Sequence, residues 1–99
     1  SDAEDSLAIQ RDGGSWLLDG AFPVVDLKEL VGIKTLPGDG KGHYHTVSGL
    51  FMLLLGRVPS TGDSTEWEGW RLEIVDMDQK RIDKILATPL LNIAGEIRD

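Results

Sequence analysis

Three aspartates near the end of the chain, Asp76, Asp78 and Asp83, are the residues best suited to bind a metal ion. The first two stand one residue apart, as do the first carboxylate ligands of an EF-hand calcium loop. The rest of that loop is missing, because Lys80 and Arg81 occupy the positions that need an oxygen ligand and a glycine. We interpret the segment as a polar turn. The alternative is that the three aspartates gather at one end of a hairpin and hold a hydrated divalent cation.

A glycine-rich segment, residues 38–42, is the second place where ligand chemistry is conceivable. Gly38 and Gly40 begin the G-x-G-x-x-G pattern of dinucleotide-binding loops, but His43 stands where the third glycine belongs. A phosphate-binding P-loop would need a glycine at the position of Thr35 and a hydroxyl residue after the lysine. We therefore interpret the segment as a surface loop.

The remaining candidates for catalysis lack partners of the required kind. His43 and His45 could face one way, but zinc needs three or four ligands of fixed geometry, and the chain has no cysteine. Ser48 is not flanked by the glycines of a nucleophile elbow. Glu66 and Glu68 could share a strand face, but paired acids need a cleft between them to act on a sugar. We predict no catalytic residues, so the protein is not expected to be an enzyme.

Composition limits the classes of partner. The chain has 99 residues, which suits one domain. Its 17 Asp and Glu outnumber its 10 Lys and Arg, which gives a formal net charge of −7. Nucleic acids are bound through basic residues, so nucleic-acid binding is not expected. The longest apolar run, residues 50–55, is far shorter than the ~20 residues that cross a bilayer. We therefore expect a soluble segment that does not itself insert into a membrane.

The candidate residues must be positioned by a predicted α+β fold. Alternating apolar residues on either side of a turn at residues 12–15 predict a β-hairpin. Residues 23–32 then predict a short helix, in which Asp26 is the N-cap and Glu29 completes a capping box. Gly32 suits the left-handed position that follows the last helical residue.

A second helix is predicted to begin after Thr46 as its N-cap and to end near residue 55, where Gly56 follows. This helix is apolar nearly all round, so it must be buried on most sides or meet a partner. Three tryptophans in so short a chain also suggest core and interface packing. The predicted docking surface consists of Leu50, Met52, Leu53, Trp67 and Trp70.

The last part of the chain predicts three more strands. They cover residues 65–67, residues 70–74 and residues 82–88, where alternation of apolar and polar side chains is typical of half-buried strands. The predicted order is ββααβββ. Residues 1–6 are predicted to be a disordered tail, residues 7–90 the domain, and residues 91–99 a C-terminal tail that is either an extra helix or disordered.

An ordered set of short motifs resembles a known family. Residues 12–16 and 19–20 form its first part, and residues 26–27 and 36–37 its second. The third part is Thr46–Leu50 with Leu55–Pro59, and the last is residues 62–63, 68–69, 76–78 and 81–82. In this order and spacing, the chain from residue 7 to residue 90 resembles the CorC/HlyC-type transporter-associated domain.

The resemblance implies a fold and a context. Such domains end proteins that also carry a membrane domain and a pair of CBS domains, called hemolysin-like or magnesium and cobalt efflux proteins. The domain would lie on the cytoplasmic face of the bacterial inner membrane, within a longer chain. Its fold would be an α+β sandwich grouped with FAD-binding domains of oxidases. The family is not known for an active site.

Three functions follow as hypotheses. The first is a non-catalytic regulatory domain of an ion transporter that docks against the membrane and CBS domains of its own full-length chain, or against a second copy as a homodimer. The second is a small-ligand binder of the FAD or adenine-nucleotide type, which rests on fold-level analogy alone. The third is a divalent-cation sensor that uses the three aspartates.

Overall fold

The computed structural model describes residues 7–90 and builds them into five strands and two α-helices. In chain order these are β1 (Ala8–Gln10), β2 (Trp16–Asp19), α1 (Val24–Val31), α2 (Val47–Leu55), β3 (Ser64–Trp67), β4 (Trp70–Asp78) and β5 (Arg81–Pro89). The predicted order ββααβββ is therefore confirmed. The interpretations of residues 1–6 and residues 91–99 as tails lie outside the described residues.

All five strands form one antiparallel sheet in the spatial order β1-β2-β5-β4-β3. The last strand therefore lies at the centre of the sheet. A row of paired residues crosses it, in which Ile85 lies opposite Leu18 on one side and Ile74 on the other. These three side chains are fully buried in one cluster with residues of both helices, such as Leu27 and Phe51. Both helices thus cover the same face of the sheet, and the predicted α+β class is confirmed.

The ends of α2 follow the signals in the sequence. The Thr46 hydroxyl accepts a hydrogen bond from the Gly49 amide at 3.2 Å, which satisfies one of the free amides of the first turn. At the other end Gly56 has φ 70°, and its amide donates to the carbonyl of Met52. Both predicted boundaries of this helix are confirmed.

The first helix begins differently from the prediction. Asp26 is not the N-cap, because α1 already begins at Val24 and Asp26 lies within its first turn. Pro23 takes the N-cap position instead, without a side-chain hydrogen bond. Its ring fixes φ near the helical value, which favours a helix start at this point, and the Asp26 carboxylate favours the positive end of the helix dipole. Gly32 ends the helix in the left-handed conformation, as predicted.

Neither helix in residues 7–90 is long and apolar enough to cross a membrane.

Candidate functional site

The exposed side of α2 carries two large apolar side chains. Met52 is 48% exposed and Leu53 is 47% exposed, and they follow each other in the chain. Leu50 was predicted to belong to the same surface, and this was wrong, since its side chain is fully buried. The helix turns Leu50 and Phe51 toward the sheet, where they join the core cluster with Ile85. Only the outward residues remain available to a partner.

The two tryptophans of the predicted docking surface lie on β3 and β4, at the edge of the sheet that β3 forms. Trp67 and Trp70 are register partners on β3 and β4, and both are half-buried against the core. The indole Nε1 of Trp67 donates a hydrogen bond to the carbonyl of Thr35 at 3.0 Å, which ties β3 to the loop after α1. Because part of each ring stays accessible, both remain able to border a docking surface beside α2, which β3 adjoins.

An open groove runs between α2 and the β4–β5 turn, with a volume of about 580 Å³. Its lining residues are Ser48, Met52, Asp78, Gln79, Lys80, Arg81 and Ile82. A second hollow of about 300 Å³ continues it past Ser48 and Arg81 toward Asp19. We call the two together the α2 groove. Met52 gives it an apolar wall and the turn gives it charged ones, so the groove suits an amphipathic segment of another polypeptide.

Gly20 connects the two sides of the α2 groove through backbone hydrogen bonds to β5 and α2. Its amide donates to the carbonyl of Asp83 at 2.9 Å, and its carbonyl accepts from the amide of Ser48 at the start of α2, also at 2.9 Å. A Cβ atom at this position would lie 2.2 Å from the carbonyl oxygen of Ile82. Only glycine allows the chain to pass so close to β5 while its carbonyl accepts the hydrogen bond from Ser48 in the first turn of α2.

The sheet brings two of the three candidate metal ligands together. Irregular register between Ile74 and Met77 distorts the pairing of β4 with β5 around Asp76. A hydrogen bond to Asp83 raises the pKa of the Asp76 carboxyl, because the neighbouring carboxylate favours its protonated form. The same hydrogen bond and the ammonium group of Lys84 lower the pKa of Asp83.

Asp78 does not join this pair. Its carboxylate lies 3.1 Å from the guanidinium of Arg81 across the turn. Within residues 7–90 no group of three acidic, histidine or cysteine side chains is arranged to hold a metal ion. The prediction that Asp76, Asp78 and Asp83 gather as three ligands is therefore wrong, and Asp78 pairs with Arg81 instead.

The glycine-rich loop is organised by an acid. The carboxylate of Asp39 lies 2.6 Å from Nζ of Lys28 and accepts a hydrogen bond from the amide of Leu36 at 3.3 Å. The ammonium group of Lys28 holds the pKa of Asp39 below its usual value. A carboxylate at this position repels phosphate, so the loop geometry disfavours a pyrophosphate group here.

The loop between α2 and β3 is fixed by Arg57. The guanidinium of Arg57 donates two hydrogen bonds to Asp63, at 3.1 and 2.8 Å. Asp63 also accepts from the amide of Ser60 at 2.8 Å. The pKa of Asp63 is lowered, first by the hydrogen bond from Arg57 and then by that from Ser60. Arg57 thus stabilises the loop between α2 and β3 by binding Asp63.

Comparison with known proteins places these features in a family. The model of the CorC_HlyC family, described as a transporter associated domain, matches residues 9–90. The UPF0053 protein sll0260 of Synechocystis is 46% identical over 82 residues, which are 83% of this chain and 18% of that protein. The polyamine export protein of Salmonella typhimurium is 38% identical over 84 residues, which are 85% of this chain and 18% of that protein. The chain thus spans less than a fifth of the length of these relatives.

A solved structure supports the same relationship. The CorC_HlyC transporter associated domain of a Xylella fastidiosa Temecula1 hemolysin, in complex with Mg++ and Mn++, superposes with a TM-score of 0.74 at 40% identity. The match covers 85% of this chain and 98% of that one. The fold described above is therefore found in an isolated domain of the same size.

Proposed function

Because this chain belongs to the CorC_HlyC family of transporter associated domains, we propose that it is the accessory, non-catalytic domain of a membrane ion-transport protein and acts by docking. Its partners would be the membrane and CBS domains of the same full-length chain, on the cytoplasmic side of the membrane. The observation that carries this proposal is the pair of exposed apolar side chains on α2, Met52 and Leu53, beside an open groove.

Burial of these side chains supplies a driving force for docking. Full burial of a leucine or methionine side chain stabilises a complex by about 1.5–3 kcal/mol, and both residues here are about half buried already. Each would therefore contribute on the order of 1 kcal/mol on docking. A domain that binds one conformation of a transporter more tightly than another shifts the equilibrium between them by that difference.

The charged wall of the α2 groove would add specificity. Lys80 and Arg81 lie on one side of the groove opposite Met52, with Asp78 next to them. Charges of both signs at the edge of an apolar contact favour a complementary partner and penalise others. A partner segment that carries apolar residues on one side and charges on the other fits this arrangement.

The docking proposal predicts the behaviour of a double variant. The upstream part of the full-length protein, purified in detergent, is titrated into the isotope-labelled chain and followed by NMR. In the parent, we expect the signals of Met52 and Leu53 to shift. With both residues replaced by glutamine, we expect the affinity to fall at least about tenfold, which corresponds to about 1.4 kcal/mol.

A matched control is Ile9→Gln, because Ile9 is 49% exposed but lies on β1, away from α2. We expect it to keep the parental affinity. Unchanged affinity in the double variant, or an equal loss in the Ile9 variant, would show that α2 is not the docking surface.

A divalent-cation site is the second candidate, and we propose that Asp76 and Asp83 form it without Asp78. Two observations favour it. The two carboxyl groups are close enough to shift each other's pKa, so they are placed to bind one ion together with water. In addition, the related Xylella domain has been solved in complex with Mg++ and Mn++.

The raised pKa of Asp76 gives this candidate site a pH dependence. A metal ion competes with protons for the Asp76 carboxyl, so the affinity for Mn²⁺ is expected to rise as pH rises through the raised pKa of that group. Paramagnetic broadening by Mn²⁺ should affect the amide signals of Asp76 and Asp83, and Asp83→Asn should abolish it. Asp26→Asn on α1 is the control and should leave it intact. Broadening that survives Asp83→Asn would place the ion elsewhere.

A further inference from the structure

The face of the sheet opposite the helices carries an apolar patch. Ile9, Leu17 and Leu86 are neighbours in one register row across β1, β2 and β5. Ile9 is 49% exposed, and Val75 on β4 is 37% exposed. None of these four side chains belongs to the core cluster or packs against it. We call Ile9, Leu17, Val75 and Leu86 the outer-face patch.

The patch contains a hollow that could receive a side chain. It has a volume of about 360 Å³, and its floor is formed by Leu17, Val75 and Leu86. Its rim is formed by exposed Arg11 and Asp12, where the chain turns between β1 and β2, and buried Ser15 also lines it. An apolar floor under a polar rim suits an aliphatic side chain that comes from a segment with acidic or polar neighbours.

The two segments outside the described residues differ in their ability to cover this patch. Residues 1–6 are Ser, Asp, Ala, Glu, Asp and Ser, so they offer no large apolar side chain. Residues 91–99 contain Leu91, Ile93 and Ile97. The two isoleucines are four residues apart, a spacing that places both side chains on one face of a helix. The chemistry of the patch therefore matches the C-terminal segment.

The exit point of β5 puts that segment within reach. The amide of Leu90 donates to the carbonyl of Gly69 at 2.8 Å, which fixes where the chain leaves the sheet. Leu86 lies four residues back along the same strand, or about 13 Å at roughly 3.3 Å per residue. Nine further residues in a helix span about 13 Å at roughly 1.5 Å per residue. The segment is thus long enough to double back over the outer face.

We propose that residues 91–99 fold back across the outer face of the sheet and place Ile93 and Ile97 against the outer-face patch. Arg11 on the rim would then meet the acidic side chain of Glu96. The segment would form a third layer over the sheet, so that α2 stays the main apolar surface open to other domains. This inference does not depend on the docking function, because it concerns contacts within the chain alone.

The absence of cysteine from the sequence makes a direct test possible. Asp99→Cys introduces one thiol for a nitroxide spin label on the 99-residue chain. We expect the label to broaden the methyl signals of Leu17, Val75 and Leu86 strongly. The methyl signals of Leu53, on α2 and across the sheet, should keep their intensity. Equal broadening on both faces, or none at the patch, would overturn the proposal.

Two matched double variants with the same label separate specific contact from proximity. Ile93→Ser with Ile97→Ser should restore the methyl signals, while Asn92→Ser with Ala94→Ser should leave them broadened. A mixture of two samples tests for a second copy of the protein on this face. One sample carries the spin label at natural isotope abundance, and the other is isotope-enriched and carries no spin label. Broadening in that mixture would show a contact between molecules and would also overturn the proposal.

Discussion

Replacing Gly20 with alanine is expected to lower the free energy of unfolding by about 3 kcal/mol, the upper part of the range for overpacked sites. The added Cβ would lie 2.2 Å from the carbonyl oxygen of Ile82, which is far closer than any non-bonded contact. The obstructing atom belongs to the backbone of β5, so it cannot move aside by changing a rotamer. Urea unfolding that shows a lower midpoint at an unchanged slope would measure the loss.

The loss should spread beyond the turn. The amide and carbonyl of Gly20 connect β5 at Asp83 with the first turn of α2 at Ser48. Relief of the clash would have to lengthen at least one of these hydrogen bonds, each of which contributes about 1 kcal/mol. We therefore expect shifted amide signals at Ser48 and Asp83, and with them a distorted α2 groove.

The control for this prediction is Gly62→Ala. Gly62 has φ +96°, but its added Cβ would meet no atom within 4 Å. Its cost should come from backbone strain alone, about 1 kcal/mol at the lower end of the range for such residues. Equal losses at both positions would mean that the close approach to Ile82 is relieved without cost.

The sequence predicts the order of elements well because their boundaries depend on local chemistry. Thr46 caps α2 and Gly56 ends it through hydrogen bonds to residues within one turn. Gly32 ends α1 in the same way. The positions of these residue types in the chain therefore suffice to locate them. The first helix is the exception, since Asp26 and Pro23 both offer a start and only the structure decides between them.

The candidate site was harder to predict, because it depends on contacts between distant parts of the chain. Asp76 and Asp83 are brought together by irregular pairing of β4 with β5, which no local sequence pattern predicts. Asp78 stands close to them in sequence but pairs with Arg81. Gly20 looks like an ordinary turn glycine until β5 lies against it.

Helix α2 shows the same limit for burial. A helix that is apolar nearly all round has no polar face, so periodicity does not tell which residues point inward. Leu50 and Leu53 look alike in the sequence, yet Leu50 is fully buried and Leu53 is 47% exposed. The position of the sheet decides the difference, and that position is set by the pairing of β5 with its neighbours.

Leu50 and Leu53 are the same residue type on the same helix and differ only in whether the side chain faces the core or the solvent, so substituting each of them tests the orientation of α2. Leu50→Ala is expected to lower the free energy of unfolding by about 3 kcal/mol, because it leaves a cavity next to the sheet. Leu53→Ala should cost under about 1 kcal/mol, since much of its side chain is already in water. Denaturant unfolding of both variants at one pH measures the difference.

The pair also separates folding from docking. If α2 meets its partner through its outer side, Leu53→Ala should weaken binding to the upstream part of the full-length protein while the domain stays folded. Leu50→Ala should weaken binding only under conditions that also unfold the domain, because its side chain contributes to the core and not to the contact surface. Similar stability losses in the two variants would contradict the orientation of the helix. A binding loss for Leu50→Ala in the fully folded domain would contradict the assignment of the docking surface.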